Sequence, residues 1–266
     1  MPAIRANGIE MSYRLDGRED APVLMLSNSL GTDYGMWDPQ IGSFADRFRV
    51  VRYDSRGHGR SAVPPGPYRI ADLGADALAL LDTLGVERVR FCGLSKGGMV
   101  GMWLAANAPH RIERLVLCNT SAQIGSPEFW NRRIEAVRSS GMKAVVDGVL
   151  DRWFTPAFRA EAPQAVEAVR RMLIETPVEG YAASCAALRD MDLRQAVGSI
   201  QAPTLVIAGV HDVATPPEHA RWIAAQVPGA TLKELDAAHL SNIEAAGPFT
   251  AAVLDFLARD GKGAMR

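Results

Sequence analysis

The chain has 266 residues, a net charge of −1 and 48% hydrophobic residues, enough to bury a full core as one α/β domain or one domain with an insertion. Balanced charge leaves no footprint for nucleic acid or an anionic membrane, and no apolar run approaches the roughly 20 residues that span a bilayer. Three cysteines in apolar strand or helix patterns read as free thiols of a reducing compartment. Met1-Pro2-Ala3-Ile4-Arg5 lacks the basic-then-apolar layout of a secretory signal, so a cytoplasmic protein is expected.

In chain order, Ile4–Leu15 alternates around Asn7-Gly8 and predicts a β-hairpin. Pro22–Ser27 is a continuous apolar run, as in a strand buried on both faces. It opens into the small-residue loop Asn28-Ser29-Leu30-Gly31-Thr32 and a helical stretch over Tyr34–Phe44. Arg49–Tyr53 predicts a strand, and Ile70–Leu84 a helix ended by Gly85. Arg114–Cys118 is a further strand. From Gln123 to about Asp190 only helix-like segments follow, broken at Gly125-Ser126-Pro127, Ser140-Gly141, Thr155-Pro156 and Thr176-Pro177. Strands resume at Thr204–Ala208 and Thr231–Leu235, with helices over Pro217–Gln226 and Pro248–Arg259. Alternating strands and helices imply a mostly parallel sheet, here of eight strands, with helices on both faces. The expected division is a core of residues 1–122 and 191–266 carrying an inserted helical cap, residues 123–190, over the carboxyl edge where open α/β sheets bind ligands.

The stretch Arg88–Gly98 carries the chemistry. Val89, Phe91 and Cys92 favour a strand, Gly93-Leu94-Ser95-Lys96-Gly97 is a tight turn, and the following residues favour a helix. A serine at the apex of strand, turn and helix describes a nucleophile elbow. Gly93 and Gly97 leave room for the close backbone approach that such a strained turn needs. The alternative is a plain Gly-rich turn with Ser95 as a helix N-cap.

A serine hydroxyl needs a base, and histidine suits best. His58, His110, His211 and His219 read as turn, surface or structural histidines. His239 stands apart, just after the last strand in Asp236-Ala237-Ala238-His239-Leu240-Ser241, where small neighbours let the ring turn toward Ser95. The acid that holds its tautomer is expected at Asp212, after the Thr204–Ala208 strand, since Asn119 occupies the other suitable strand end. The order Ser95, Asp212, His239 is nucleophile, acid, base. Backbone amides of Leu30 and Lys96 are the expected oxyanion donors, and the Lys96 side chain reads as solvated or gap-lining.

On these features the chain resembles the α/β-hydrolase fold superfamily over nearly its whole length. Within it, the chain resembles the 3-oxoadipate enol-lactonases in Ser27–Thr32, in Met36-Trp37-Asp38-Pro39-Gln40 and in Tyr53–Gly59. The cap stretches Phe129-Trp130-Asn131 and Arg152–Pro156 resemble them too. Many superfamily relatives carry His-Gly where this chain has Asn28-Ser29, a departure that argues against a generic esterase. The resemblance implies hydrolysis of a small enol-lactone bearing an acetate arm, in aromatic-compound degradation, with neither metal nor organic cofactor. The expected partner is this anionic small molecule, with no nucleic acid or membrane, in a monomer or small homo-oligomer.

A substrate carboxylate in a dry pocket needs a cation. Trp130, Arg133 and Val137 share one face of a cap helix, with Ile134 and Arg138 on an adjoining one. Arg133 or Arg138 is the expected clamp, and Trp153 an apolar wall or a cap-core residue. Ser95 argues against dehalogenases and epoxide hydrolases, which use aspartate. A carbon–carbon bond hydrolase, a perhydrolase, a small-ester esterase or a ligand receptor on the same fold share these features and differ in the cap.

Overall fold

The computed structural model describes residues 2–258. Strands β1 (Ala3–Ala6) and β2 (Ile9–Asp16) form the opening hairpin. Asn7 and Gly8 at its turn both take positive φ, 48° and 77°, the region Asn-Gly accepts most readily. Then β3 (Val23–Ser27), a 3-10 turn at Tyr34–Trp37, α1 (Asp38–Ala45), β4 (Arg49–Tyr53), α2 (Ile70–Thr83), β5 (Val89–Leu94), α3 (Lys96–Asn107) and β6 (Ile112–Cys118) alternate. Five helices follow: α4 (Pro127–Ser140), α5 (Lys143–Trp153), α6 (Pro156–Glu161), α7 (Pro163–Glu175) and α8 (Val178–Asp190). The chain returns through α9 (Arg194–Val197), β7 (Thr204–Gly209), α10 (Pro217–Gln226), β8 (Thr231–Leu235), α11 (Ser241–Glu244) and α12 (Ala246–Leu257).

All eight strands join one sheet in the order β1-β2-β4-β3-β5-β6-β7-β8, antiparallel at β1-β2-β4 and parallel from β4 through β8. β5 through β7 are buried nearly throughout because helices cover both faces, hence their unbroken apolar sequences. Register lines up the carboxyl ends. Ser27 pairs with Gly93, Leu94 with Cys118, Cys118 with Ile207, and Gly209 with Leu235. The loops that leave these ends carry Leu30, Ser95, Asn119, Asp212 and His239, so parallel pairing alone brings five distant segments to one edge.

The helix starts between β6 and β7 follow local capping. Ser126 and Thr155 accept hydrogen bonds from the amides of Phe129 (3.3 Å) and Phe158 (3.2 Å), each with proline at the first helical position. Each expected break is present. A further one falls at Ala162-Pro163, where the missing proline N–H separates α6 from α7. The short helices α9 and α11 lie outside the expected pattern, being only four residues each. The last helix begins two residues before its expected start, and the expected end at Arg259 lies outside the described residues.

The elbow rests on backbone packed against backbone. A Cβ added to Gly93 would be driven into the carbonyl of Gly97, and one added to Gly97 into the carbonyl of Ser27. Neither neighbour is a movable side chain. Gly148, mid-helix in α5, is different: only the Arg152 Nη1 atom lies near, at 3.9 Å. Gly97→Ala is expected to cost about 1–3 kcal/mol or more, and Gly148→Ala to gain roughly 0.5–1 kcal/mol. Urea unfolding of both variants checks this, and equal stability of Gly97→Ala and native protein would contradict it.

Candidate active site

Ser95 sits between β5 and α3 with φ 56° and ψ −115°, a left-handed conformation that a residue with a side chain takes only when its surroundings impose it. Its amide donates to the Cys118 carbonyl at 2.9 Å, and its carbonyl accepts from Thr120 Oγ1 at 2.7 Å and from the Met99 amide at 3.1 Å. Both backbone groups are therefore tied down while the hydroxyl faces a cavity of about 270 Å³.

His239 lines the same cavity. Its Nδ1 lies 2.8 Å from Asp212 Oδ2, and both side chains are buried. An ionised carboxylate only accepts, so Nδ1 carries the proton and Nε2 is left with a free lone pair. Asp212 is held from every side. Its Oδ1 accepts from the amides of Ala214 (2.8 Å) and Thr215 (2.9 Å), and its Oδ2 from Thr215 Oγ1 (2.7 Å) and Asn119 Nδ2 (2.9 Å). Burial pushes this carboxyl up, but the His239 ring and the donors from His239, Thr215 and Asn119 outweigh it and leave it below the ordinary value. Asn119, at the other suitable strand end, thus supports the Asp212 carboxylate, while its Oδ1 accepts from Ser241 Oγ at 2.6 Å. Thr215, three residues after Asp212, is a second supporting residue that spacing alone did not mark.

The rest of the cavity joins both parts of the chain. Leu30 lines it from the loop after β3, and Trp130, Arg133, Arg152, Trp153 and Tyr181 from the helical segment. Trp153 lies against the His239 ring with centroids 5.7 Å apart and planes 32° from parallel. Trp130 donates its indole N–H to the Ile124 carbonyl at 2.8 Å, which fixes the ring over the cavity. Arg133 lies among three aromatic rings, Phe129, Trp130 and Tyr181, at 5.7–5.9 Å. No carboxylate pairs with it among the described residues, and its buried Nε has no partner. Arg138, the other expected clamp, does not reach the cavity. It is exposed and pairs with Glu179 at 2.9 Å, because Glu179 on the adjacent α8 captures it outside. Arg152 faces the cavity in its place. His219 also lines it, so it is not a surface histidine.

The α/β-hydrolase fold family model matches residues 22–246. The chain belongs to the α/β-hydrolase fold family. It is 40% identical over 250 residues, 94% of each chain, to 3-oxoadipate enol-lactonase 2 of Acinetobacter baylyi. It is 38% identical over 237 residues, 89% of each chain, to 3-oxoadipate enol-lactonase 1 of the same organism. Among solved structures, the enol-lactonase from Burkholderia xenovorans superposes with a TM-score of 0.96 at 48% identity, covering 97% of this chain and 100% of that one. The resemblance read from the sequence is thus borne out.

Behind the elbow of this hydrolase, the Lys96 side chain is fully buried rather than solvated. Its Nζ lies 3.4 Å from His58 Nε2, whose ring is also buried and whose Nδ1 meets the Arg56 carbonyl at 3.1 Å. Burial and the Lys96 charge hold His58 well below its ordinary value, so the ring is neutral and accepts from the ammonium. Burial likewise pushes Lys96 down to about 7, against the pull of Asp54. Asp54 is itself raised to about 6 by burial. Between about 7 and its ordinary 10.5, Lys96 binds fewer protons folded than unfolded, so it makes stability rise with pH through that window. Lys96→Met is expected to flatten this rise in urea unfolding followed from neutral to alkaline pH. Parallel curves for variant and native protein would contradict the assignment.

Proposed function

We propose that this hydrolase opens 3-oxoadipate enol-lactone to 3-oxoadipate, with Ser95 as nucleophile, His239 as base and Asp212 as the acid that orients it. The observation that carries the reading is the strained Ser95 facing one cavity with an Asp212-held His239 and two arginines without carboxylate partners. An enzyme for a neutral ester has no use for two cations without a direct ion pair beside its nucleophile, whereas an anionic lactone supplies such a partner. The likeness to enol-lactonases over nearly the full chain supports the same substrate.

The chemistry runs as follows. His239 Nε2 takes the Ser95 proton as Oγ bonds to the lactone carbonyl carbon. The amides of Leu30 and Lys96 stabilise the oxyanion, the latter at the first residue of α3, where the helix dipole adds to the effect. Collapse breaks the bond to the enol oxygen, which receives the proton from His239 and relaxes to a ketone. Water then attacks the acyl carbon, giving its proton to His239 and releasing Ser95 with a second carboxylate on the product. Residues 123–190 act as a cap that keeps the acyl intermediate from bulk water other than the attacking molecule. Trp153 serves as an apolar wall that holds the His239 ring in place. Arg133, with Arg152 beside it, holds the acetate-arm carboxylate.

Steady-state hydrolysis of the enol-lactone, followed by its ultraviolet band, tests the reading against a neutral short-chain ester. Ser95→Ala is expected to lose about 10³-fold or more on both substrates. Arg133→Ala and Arg152→Ala are expected to raise KM for the lactone by roughly 10-fold or more while barely affecting the ester. Equal losses on both substrates would remove the clamp from the account, and turnover untouched by Ser95→Ala would overturn the nucleophile.

A further inference from the structure

The helical segment holds a second hollow, a groove of about 290 Å³ between α4 and α5. One wall is Phe129, Arg132 and Arg133 of α4, at i, i+3 and i+4. The other is Ala144, Gly148 and Arg152 of α5, spaced by four so that they share one face. Arg133 and Arg152 line this groove and the Ser95 cavity at once, whereas Arg132 faces the groove alone and is exposed. The two hollows therefore share, as a common wall, the arginines that the substrate carboxylate is expected to meet.

The charge around the groove is only partly compensated: Glu128 acts on Arg132 and Asp151 on Arg152, neither through a direct ion pair. Other arginines of this segment take carboxylates: Arg138 takes Glu179, Arg159 takes Asp151, Arg170 takes Asp147 and Arg189 takes Asp190. The acids of α5 itself, Asp147 and Asp151, are thus engaged by Arg170 and Arg159 rather than by the groove arginines. Arg132, Arg133 and Arg152 make no ion pair among the described residues, and no acidic side chain lines the groove. Burial, and after it the neighbouring Arg133, lowers the proton affinity of Arg152 against the opposing pull of Tyr181 and Asp151. Its floor is kept open by Gly148, a helix-weakening residue that nothing in the packing requires.

We propose that this groove is the entrance subsite for the anionic substrate: Arg132 meets its carboxylate at the surface, and Arg152 and Arg133 pass it inward to Ser95. The proposal rests on the reading of the substrate as a small carboxylated lactone. A local cationic funnel raises the encounter rate of an anion and does little for a neutral molecule, and salt abolishes the difference.

The test compares native protein, Arg132→Glu and Arg171→Glu on the lactone and on a neutral ester at low and high ionic strength. Arg171 is an exposed arginine of the same segment that also makes no ion pair among the described residues and does not line the groove, so it controls for net charge. Arg132→Glu is expected to lower kcat/KM for the lactone roughly fivefold to tenfold at low salt, with far less change in kcat or on the ester. The loss should shrink near 0.5 M salt, where the screening length is about 4 Å. Equal behaviour of the two variants, or no loss in Arg132→Glu, would overturn the subsite. Should the native protein ignore the lactone, the substrate reading fails separately, and the same proteins are compared for inhibition of ester cleavage by adipate. A weaker inhibition in Arg132→Glu alone then supports the groove, and equal inhibition in all three overturns it.

Discussion

The contact on which everything else depends is backbone against backbone at the start of α3, where Gly97 lies on the Ser27 carbonyl and Gly93 on the Gly97 carbonyl. That approach forces the chain to reverse within one residue, and Ser95 absorbs the reversal in its positive φ. Neighbouring strand ends hold the strain in place through the Cys118 carbonyl and the Thr120 hydroxyl. A large buried sheet, not a local motif, stabilises the strained serine. The same sheet register then sets the other loops beside it.

Beyond the elbow the site divides its labour by polarity. On the sheet side, every oxygen of Asp212 is satisfied, which fixes His239 without leaving a buried charge unpaired. On the helical side the opposite holds. Arg133 and Arg152 line the cavity without a carboxylate in ion-pair contact among the described residues, and aromatic rings surround Arg133. The substrate proposed above, small, partly apolar and anionic, would complete that imbalance. Lys96 belongs to neither side. Its ammonium is sealed behind the elbow against His58, away from the cavity that Ser95 lines.

Much of this was legible in the sequence because it is encoded locally. The strand–turn–helix around Ser95, the proline breaks of the helical segment and the small residues before His239 each act within a few positions. What was not legible depends on partners far along the chain. Arg133 and Arg138 lie five residues apart on one helix, and only Glu179, 41 residues beyond Arg138, decides which stays exposed. Arg152 reaches the cavity because α5 turns that face inward, which no spacing within α4 reveals. Asn119 cannot itself be an acid, yet its amide supports the Asp212 carboxylate 93 residues along the chain. Burial of Lys96 follows from the loop after β4 folding His58 over it, again a long-range event.

The central claim is that Ser95 is the nucleophile of a cavity built for a carboxylated lactone. Its most direct measurement is covalent capture: intact-mass and peptide mapping of the protein after reaction with a fluorophosphonate, with and without 3-oxoadipate as a competing anion. The account predicts a single adduct, on Ser95, formed more slowly when 3-oxoadipate is present and not formed in the absence of His239, tested as His239→Ala. An adduct on another residue, or labelling of Ser95 indifferent to 3-oxoadipate, would contradict it.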